Sequence, residues 1–473
     1  MKKRLAIIGN GMACGRLLDE LFRRNAGGAF EISVYGGESH GCYNRILLGR
    51  ILSGGSAAEI TTKPREWYAE RGVTFHSGTL VTKLDTAERK LLTADGREFP
   101  YEIAVLATGS APFIPPMENL KDEAGCPKEG AFVFRTVDDC ERIRKYATPA
   151  SSAVVMGGGL LGLEAAKALS DLGLHVTVVH MPEWLMNVQV DRLGGELVRK
   201  AVEKLGIFVR TGVAANRIIG RTKVQGIGLK NGDTLPADLL VIAAGIRPQT
   251  ELATASNIPV KRGIVVNDLL ATAVAGVFAL GECAEHKGIV YGIVPPIWEQ
   301  CEVLADVLTG ANPLARYTGS KVYAKLKVAG IDVASMGLVE PQLDTDEVLQ
   351  VMEDRRGIYR KLIVRDGKLI GATLVGDGES APTLARWFDR GDTLPINRLD
   401  LLCSGDVSAA AADPEICNCH HVCESTIKAA IRDGCVSLPT LSAATQAGTG
   451  CGSCKGQLAN LIMKANPPKT LAL

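Results

Sequence analysis

The sequence lacks long hydrophobic runs and an excess of charge of either sign. No stretch approaches the roughly 20 apolar residues of a membrane-spanning helix. Lys and Arg number 53 and Asp and Glu 52, so the net charge of +1 favours neither a nucleic-acid partner nor an anionic membrane. The apolar run at residues 5–8 is too short for the core of a secretion signal. We therefore expect a cytoplasmic protein.

A disulfide framework is also missing. The 13 cysteines are an odd number in a chain of 473 residues, which favours reduced thiols or metal ligands. Six of them lie between Cys417 and Cys454, so metal chemistry is expected there. The length exceeds the roughly 250–300 residues at which single cores stop growing, so we expect several domains.

The sequence contains a βαβ pattern that occurs twice. Residues 4–9 predict a buried strand, followed by a glycine turn, a helix near 12–24 and a strand at 31–35. The same order restarts at Ala153. Residues 318–395 alternate strands with turns such as Asp366-Gly367, and a mainly helical, cysteine-rich tail follows. These patterns predict an α/β protein with two Rossmann-like domains, a small α+β domain and a small helical domain.

Each βαβ unit carries a glycine fingerprint. The first has Gly9, Gly11 and then Cys14 where glycine or alanine is usual, which leaves an ordinary glycine turn as an alternative. The second is a full match with the glycines Gly157, Gly159 and Gly162 directly after a strand. Glycines permit the tight turn and the close approach of a diphosphate, whose charge then faces helix N-terminal amides. Two dinucleotide sites are predicted.

The order of further segments resembles the flavoprotein family with two dinucleotide-binding domains. The segments are Ala107-Thr108-Gly109 at a strand end, Gly245 after a later strand, and Gly281-Glu282 after another. The resemblance implies that the first unit binds FAD and that an inserted second unit binds NAD(P)H. It also implies that Glu282 accepts hydrogen bonds from the ribityl chain.

The segment from Tyr43 to Arg50 resembles one in ferredoxin- and nitrite-reductase-like flavoproteins. The resemblance implies that Arg45 meets the FAD diphosphate, a task that suits a guanidinium, and that Arg50 lies near the flavin. Glu164 is expected to pair with Arg50, and the two are the candidate catalytic residues. Surface solvation is the alternative for both. Glu38 is the candidate for the adenosine ribose.

The choice between NADH and NADPH has weaker support in the sequence. An acidic residue at the end of the second strand of such a unit favours NAD, and a basic one favours NADP. Here the strand ends in His180, a candidate nucleotide contact, with Glu183 close behind. Both nucleotides stay open, with a slight preference for NADH.

The tail predicts a metal centre. Cys417 and Cys419 are followed, after 31 intervening residues, by Cys451 and Cys454, a set that suits zinc or iron–sulfur. The whole pattern resembles the bacterioferritin-associated ferredoxin-like [2Fe–2S] domain, with structural zinc as the alternative. The remaining nearby candidates are expected to lie outside the ligand set: Cys423 and Cys435 as packing thiols, His420 and His421 as surface or supporting residues.

A redox thiol at the flavin is not expected. Disulfide reductases of this superfamily have a C-x4-C pair after the first βαβ unit, and this sequence has only Cys42 there. A lone cysteine also occurs in peroxidase- and coenzyme-A-disulfide-reductase-type relatives. The residues around Cys42 instead match the segment beginning at Tyr43, so an inert thiol is favoured.

The order of units resembles the N-terminal half of NAD(P)H nitrite reductase large subunits and the electron-transfer subunit of assimilatory nitrate reductases. The layout it implies is an FAD-binding domain at 1–145 and 266–312, an NAD(P)H-binding domain at 146–265, an α+β reductase C-terminal domain at 313–402, a linker at 403–415 and a [2Fe–2S] domain at 416–466.

This resemblance implies hydride transfer from NAD(P)H to FAD and single-electron transfer through [2Fe–2S] to a molybdopterin nitrate reductase catalytic subunit. The end of the chain soon after Cys454 favours this function over nitrite reduction. Two alternatives stay open: a free-standing reductase or oxidase for rubredoxin, ferredoxin or oxygen, and a redox- or iron-sensing flavoprotein with a zinc or labile-cluster tail. The oligomeric state, a homo-oligomer included, is not fixed by the sequence.

Overall fold

The structure is a computed structural model that describes residues 2–122, 125–328, 330–378, 380–403, 413, 415–417, 420, 422–450, 452 and 454–466. The chain divides into two compact units. Unit 1 comprises Met1–Ile51, Gly55–Phe113 and Ile246–Ser320. Unit 2 comprises Leu52–Gly54, Ile114–Gly245 and Lys321–Leu473.

The strands, in chain order, are β1 Lys3–Ile8, β2 Phe30–Gly36, β3 Cys42–Tyr43, β4 Thr61–Lys63, β5 Thr74–Ser77, β6 Val81–Asp85, β7 Lys90–Thr93, β8 Glu98–Pro100, β9 Ile103–Leu106, β10 Ser110–Pro112, β11 Ala131–Val133, β12 Ser152–Met156, β13 His175–His180, β14 Phe208–Thr211, β15 Ala215–Ile219, β16 Gly226–Leu229, β17 Thr234–Pro236, β18 Leu239–Ile242, β19 Ile246–Pro248, β20 Ile264–Val266, β21 Val277–Ala279, β22 Ala284–His286, β23 Tyr323–Val328, β24 Ile331–Gly337, β25 Glu347–Glu353, β26 Ile358–Arg365, β27 Lys368–Val375, β28 Glu415–Cys417 and β29 Val422–Cys423.

The α-helices are α1 Met12–Arg23, α2 Leu48–Leu52, α3 Ala57–Ile60, α4 Arg65–Glu70, α5 Val137–Ala147, α6 Leu160–Asp171, α7 Arg192–Lys204, α8 Glu251–Ala255, α9 Val294–Thr309, α10 Ala381–Arg390, α11 Asp400–Cys403, α12 Glu424–Arg432, α13 Leu438–Thr445 and α14 Lys455–Ala465. In the part of the chain that the structure describes, no helix has both the length and the apolar content needed to cross a bilayer.

Unit 1 is built on a parallel sheet with the strand order β21-β9-β1-β2-β5. Its central strands are apolar where they are buried, at residues 5–8 of β1 and 104–106 of β9, as expected of a parallel sheet whose two faces are both covered. Helices α1 and α9 pack together, and Arg16 of α1 and Arg24, the C-cap residue of α1, each pair with a carboxylate of α9 at 2.6 Å. Because β1, β9 and β21 are parallel neighbours, their carboxyl ends meet at one edge.

Unit 2 contains a second parallel sheet, with the order β11-β18-β12-β13-β14, and a meander β15-β16-β17. The predicted layout places residues 131–133 in the first part of the FAD-binding domain. In the structure their backbone pairs with β18, so this short strand extends the second sheet. The fold class with two dinucleotide-type parallel sheets is confirmed.

Unit 2 also contains an antiparallel sheet with the order β23-β24-β27-β26-β25, packed against α10. The predicted hairpin turn joins β26 to β27, where Asp366 and Gly367 both have positive φ, 50° and 73°. Helix α7 packs on β26 and β27. At that contact Asp191, the N-cap residue of α7, accepts hydrogen bonds from Tyr359 at 2.6 Å and Lys361 at 2.9 Å.

The cysteine-rich tail forms a small helical assembly. Strands β28 and β29 pair, and helices α12, α13 and α14 pack around Ile427, Leu441 and Leu458, all fully buried. Residues 404–412 and 414 of the predicted linker lie outside the described residues.

Candidate dinucleotide and cluster sites

In the first glycine turn, a side chain has no room at the residue that follows β1, whereas there is open space at the residue that precedes α1. Gly9 has φ +108°, and a Cβ there would lie 2.1 Å from the Ala107 carbonyl oxygen. Gly11 is the N-cap residue of α1 and makes no side-chain cap, and a Cβ there would meet nothing within 4 Å. The first amides of α1 have no intrahelical partner. This cradle fits the diphosphate of a dinucleotide.

Cys14, at the third fingerprint position, is fully buried. Burial raises the pKa of its thiol, and burial likewise raises the pKa of Cys42. The Cys42 Sγ lies 3.3 Å from the Gly11 carbonyl oxygen, and Thr62 donates a hydrogen bond to the same sulfur at 3.5 Å. Buried, protonated thiols are poor nucleophiles, which favours the inert thiol predicted at Cys42.

Two of the predicted FAD contacts lie together in unit 1. Glu38 accepts hydrogen bonds from the Tyr43 hydroxyl, at 2.6 Å, and from the Arg45 guanidinium. The guanidinium also lies over the Tyr43 ring, 5.0 Å from its centroid. Arg50 is exposed on α2, where its carbonyl accepts the Gly55 N–H at 2.8 Å.

The carboxyl edge of the first sheet brings the other predicted FAD segments together. Thr108 donates a hydrogen bond to the Gln249 carbonyl at 2.9 Å. Ser110 donates one to Glu282 at 2.5 Å. Gly281 has φ +84°, and its N–H donates to the buried Gln300 side chain at 2.8 Å. This contact of Gln300 could not be predicted from the sequence, because a glutamine inside an apolar helix carries no local signal of its partner.

The second glycine turn repeats the geometry of the first. Gly157 has φ +125°, and a Cβ there would lie 2.1 Å from the Ala243 carbonyl oxygen. A Cβ at Gly162 would lie 1.9 Å from the Gly157 carbonyl oxygen. Gly159, the N-cap of α6, has open space beside it. Gly245, after β18, has φ +111°. The turn therefore fits a second diphosphate.

Glu164 and His180 lie near this turn in unit 2. Glu164, in α6, is half-buried, and burial raises the pKa of its carboxyl to about 7. Its pairing with Arg50 stays a prediction, since the two residues belong to different units. The His180 ring is buried, and its Nδ1 accepts the Gly158 N–H at 3.0 Å.

Two of the four predicted cluster cysteines are described. Cys417 ends β28 and Cys454 precedes α14, and both are buried. Cys419 and Cys451 lie outside the described residues, as does His421. Among the residues that are described, no three metal-ligating side chains come together.

Other residues of the tail have identifiable neighbours. The His420 Nε2 is 2.9 Å from the Thr449 hydroxyl, and the Cys435 Sγ is 3.6 Å from the Thr440 carbonyl oxygen. Burial raises the pKa of Cys423. Gly448 and Gly452 have positive φ of 83° and 77°, a conformation that suits close backbone approach. Buried soft thiols beside such turns fit an iron–sulfur cluster.

Comparison with known families agrees with this geometry. Residues 3–302 match the family Pyridine nucleotide-disulphide oxidoreductase. The chain belongs to this family. Residues 323–391 match the Rubredoxin NAD+ reductase C-terminal domain, and residues 415–464 match the BFD-like [2Fe-2S] binding domain. The predicted cofactors are therefore confirmed: this oxidoreductase uses FAD, NAD(P)H and a [2Fe–2S] cluster.

Two curated relatives match almost the whole of this pyridine nucleotide-disulphide oxidoreductase. Nitrite reductase [NAD(P)H] of Bacillus subtilis is 38% identical over 96% of this chain and 56% of its own length. The assimilatory nitrate reductase electron transfer subunit of the same organism is 36% identical over 98% of this chain and 59% of its own length. The chain thus spans somewhat more than half the length of these relatives. The resemblance drawn from the sequence motifs is confirmed.

Solved structures agree on the fold. The ferredoxin reductase for the CYP199A2 system of Rhodopseudomonas palustris superposes with a TM-score of 0.71 at 26% identity, covering 79% of this chain and 91% of its own. An NAD-dependent persulfide reductase of A. fulgidus gives 0.73 at 26% identity, covering 82% and 77%. The roles of individual residues and the domain boundaries stay predictions.

Proposed function

We propose that this chain is the NAD(P)H-oxidising electron-transfer component of an assimilatory nitrate reductase, with a separate molybdenum-containing catalytic subunit as its electron acceptor. The main support is the 36% identity over 98% of this chain to a nitrate reductase electron transfer subunit. FAD supplies the exchange between hydride and single electrons, and the cluster carries single electrons.

The residues of the chain hold and orient these groups. The turn at residues 9–11 and the first amides of α1 bind the FAD diphosphate, and Glu282 binds the ribityl hydroxyls. The turn at residues 157–159 and the start of α6 bind the NAD(P)H diphosphate. Glu164, whose burial raises its pKa to about 7, adjusts the charge beside the nucleotide. The proposed cluster ligands are Cys417, Cys419, Cys451 and Cys454.

The second candidate is the N-terminal part of an NAD(P)H nitrite reductase. It is favoured by 38% identity over 96% of this chain to the Bacillus subtilis enzyme. The end of the chain soon after Cys454 does not separate the two candidates, since the chain spans 56% of one relative and 59% of the other.

The test is reconstitution of NADH-driven nitrate reduction. The purified chain is mixed with the molybdenum-containing nitrate reductase subunit of the same organism, and nitrite formed from nitrate is measured. We expect nitrite formation that depends on NADH or NADPH and on both proteins. Rapid NAD(P)H-dependent dye reduction without nitrite formation would remove nitrate reductase as the partner.

A matched pair of cysteine variants tests the cluster. Cys417→Ser is expected to keep FAD and direct NAD(P)H-dependent ferricyanide reduction while losing iron, visible cluster absorbance and nitrate reduction. Cys435→Ser, a change of the same size in the same domain, is expected to keep all of them. Zinc in place of iron in the wild-type chain would favour the sensing alternative.

A further inference from the structure

A loop at residues 181–190, between β13 and α7, folds over the second glycine turn. Both backbone polar groups of Gly158 are bonded to this region: the N–H donates to His180 Nδ1 at 3.0 Å, and the carbonyl accepts the Met186 N–H at 2.9 Å. A Cβ on Gly158 would lie 2.5 Å from Leu185 Cδ2 and 2.8 Å from His180 Cγ. The middle residue of the fingerprint is therefore enclosed by the loop.

The hydrogen bonds fix the state of the His180 ring. A backbone N–H can only donate, so Nδ1 carries no proton and the neutral ring has its proton on Nε2. That nitrogen lies 3.1 Å from Asn187 Oδ1, to which it donates. Burial lowers the pKa of His180, while hydrogen bonds with the Asn187 side chain and the Trp184 backbone oppose that shift. The ring offers neither a positive charge for a phosphate nor a spare acceptor for a ribose hydroxyl.

The loop is itself held in place. Met186 is fully buried with φ 55°, a left-handed conformation that a non-glycine residue keeps only where the surroundings enforce it. The Trp184 indole N–H donates to the Val190 carbonyl at 3.0 Å, and its ring fills the space that a Cβ on Gly195 of α7 would occupy. The loop is thus a rigid support for Gly158.

We propose that His180 is a positioning residue for the nicotinamide nucleotide. It accepts the Gly158 N–H and does not contact the ribose. By fixing Gly158 it fixes the path of the chain into α6, whose first amides, at Leu160 and Leu161, then remain available for the diphosphate. This differs from the direct nucleotide contact expected from its place at a strand end. The inference rests on the proposed binding of NAD(P)H at residues 157–162.

The test compares two substitutions in the full FAD-loaded chain. His180→Phe keeps a ring but removes the acceptor, so a buried N–H loses its partner. We expect the KM for both NADH and NADPH to rise about 10-fold, with kcat changed less than about two-fold. In His180→Asn the side-chain oxygen takes the place of Nδ1, and we expect KM to return to within about three-fold of wild type.

Several outcomes would overturn the inference. A ribose contact predicts that both variants lose affinity equally and that the ratio of NADH to NADPH efficiency changes. A merely structural role predicts lost flavin or a lower melting temperature at unchanged KM. Should His180→Phe not fold, Asn187→Ala removes the partner of Nε2 alone, and an unchanged KM there also rejects the inference. A wild-type chain that oxidises neither nucleotide would instead reject the proposed function.

Discussion

Replacing Gly162 by alanine tests how closely α6 approaches the second glycine turn. A Cβ at residue 162 would lie 1.9 Å from the Gly157 carbonyl oxygen, whereas ordinary contacts begin at 3.4 Å. Relieving the overlap requires the helix and the turn to separate by about 1.5 Å. The obstacle is a backbone atom, so no side-chain rotation can remove it.

The expected cost follows from two opposing effects. Overpacking against backbone costs about 3 kcal/mol, while alanine in place of glycine inside a helix regains about 1 kcal/mol. The net loss of about 2 kcal/mol lowers the melting temperature of a domain of this size by about 4–8 °C. Since the diphosphate-binding amides move by more than 1 Å, we expect the KM for NAD(P)H to rise about 100-fold.

The assay combines thermal unfolding with NAD(P)H-dependent ferricyanide reduction, and Gly159→Ala is the matched control. Gly159 has open space for a Cβ and a φ of −86°, which alanine adopts readily. We expect the control to keep the wild-type melting temperature while raising KM, because its methyl group occupies space needed by the nucleotide. A Gly162→Ala variant with the wild-type melting temperature and the wild-type KM for NAD(P)H would refute the predicted overlap between α6 and the glycine turn.

Two further predictions concern charge. Because the pKa of Glu164 is raised to about 7, the folded chain keeps a proton that the unfolded chain releases, so stability falls as pH rises from about 4.5 to 7. Melting temperatures of wild type and Glu164→Gln across this range should converge at low pH and separate in favour of the variant at high pH; parallel curves would contradict it. Lys361→Met leaves the buried Asp191 without its cation, and urea unfolding should show a loss of about 3–5 kcal/mol. Lys200→Met, at an exposed pair with Asp354, should change stability by less than about 1 kcal/mol, and equal losses in the two variants would reject the argument.

The features that sequence could predict are those encoded by neighbouring residues. The approach of Gly162 to Gly157 spans five residues, so the fingerprint spacing already contains it. The Asp366-Gly367 turn is equally local, and it occurs where predicted. The contact of Thr108 with Gln249 spans 141 residues and depends on the chain returning to the first sheet, so no local pattern indicates it.

For His180, the sequence predicts the position of the residue but not the direction of its side chain. Its place at the end of β13 was predictable from the βαβ rhythm, and that place suggested a nucleotide contact. The direction of the ring depends on the loop at residues 181–190, whose path is set by a left-handed Met186 and by packing on α7. Neither has a sequence signature, since methionine rarely adopts that conformation.

The hydrogen bonds of Asp191 with Tyr359 and Lys361 have a consequence for recombining this protein with its relatives. The carboxylate belongs to the segment that starts α7, and its two donors belong to β26, yet they share one buried site. A chimera with a junction between these segments would inherit one half of the site from each parent. Such hybrids should fold only when both parents supply matching halves. Junctions that give folded chimeras are therefore expected before residue 191 or after residue 361.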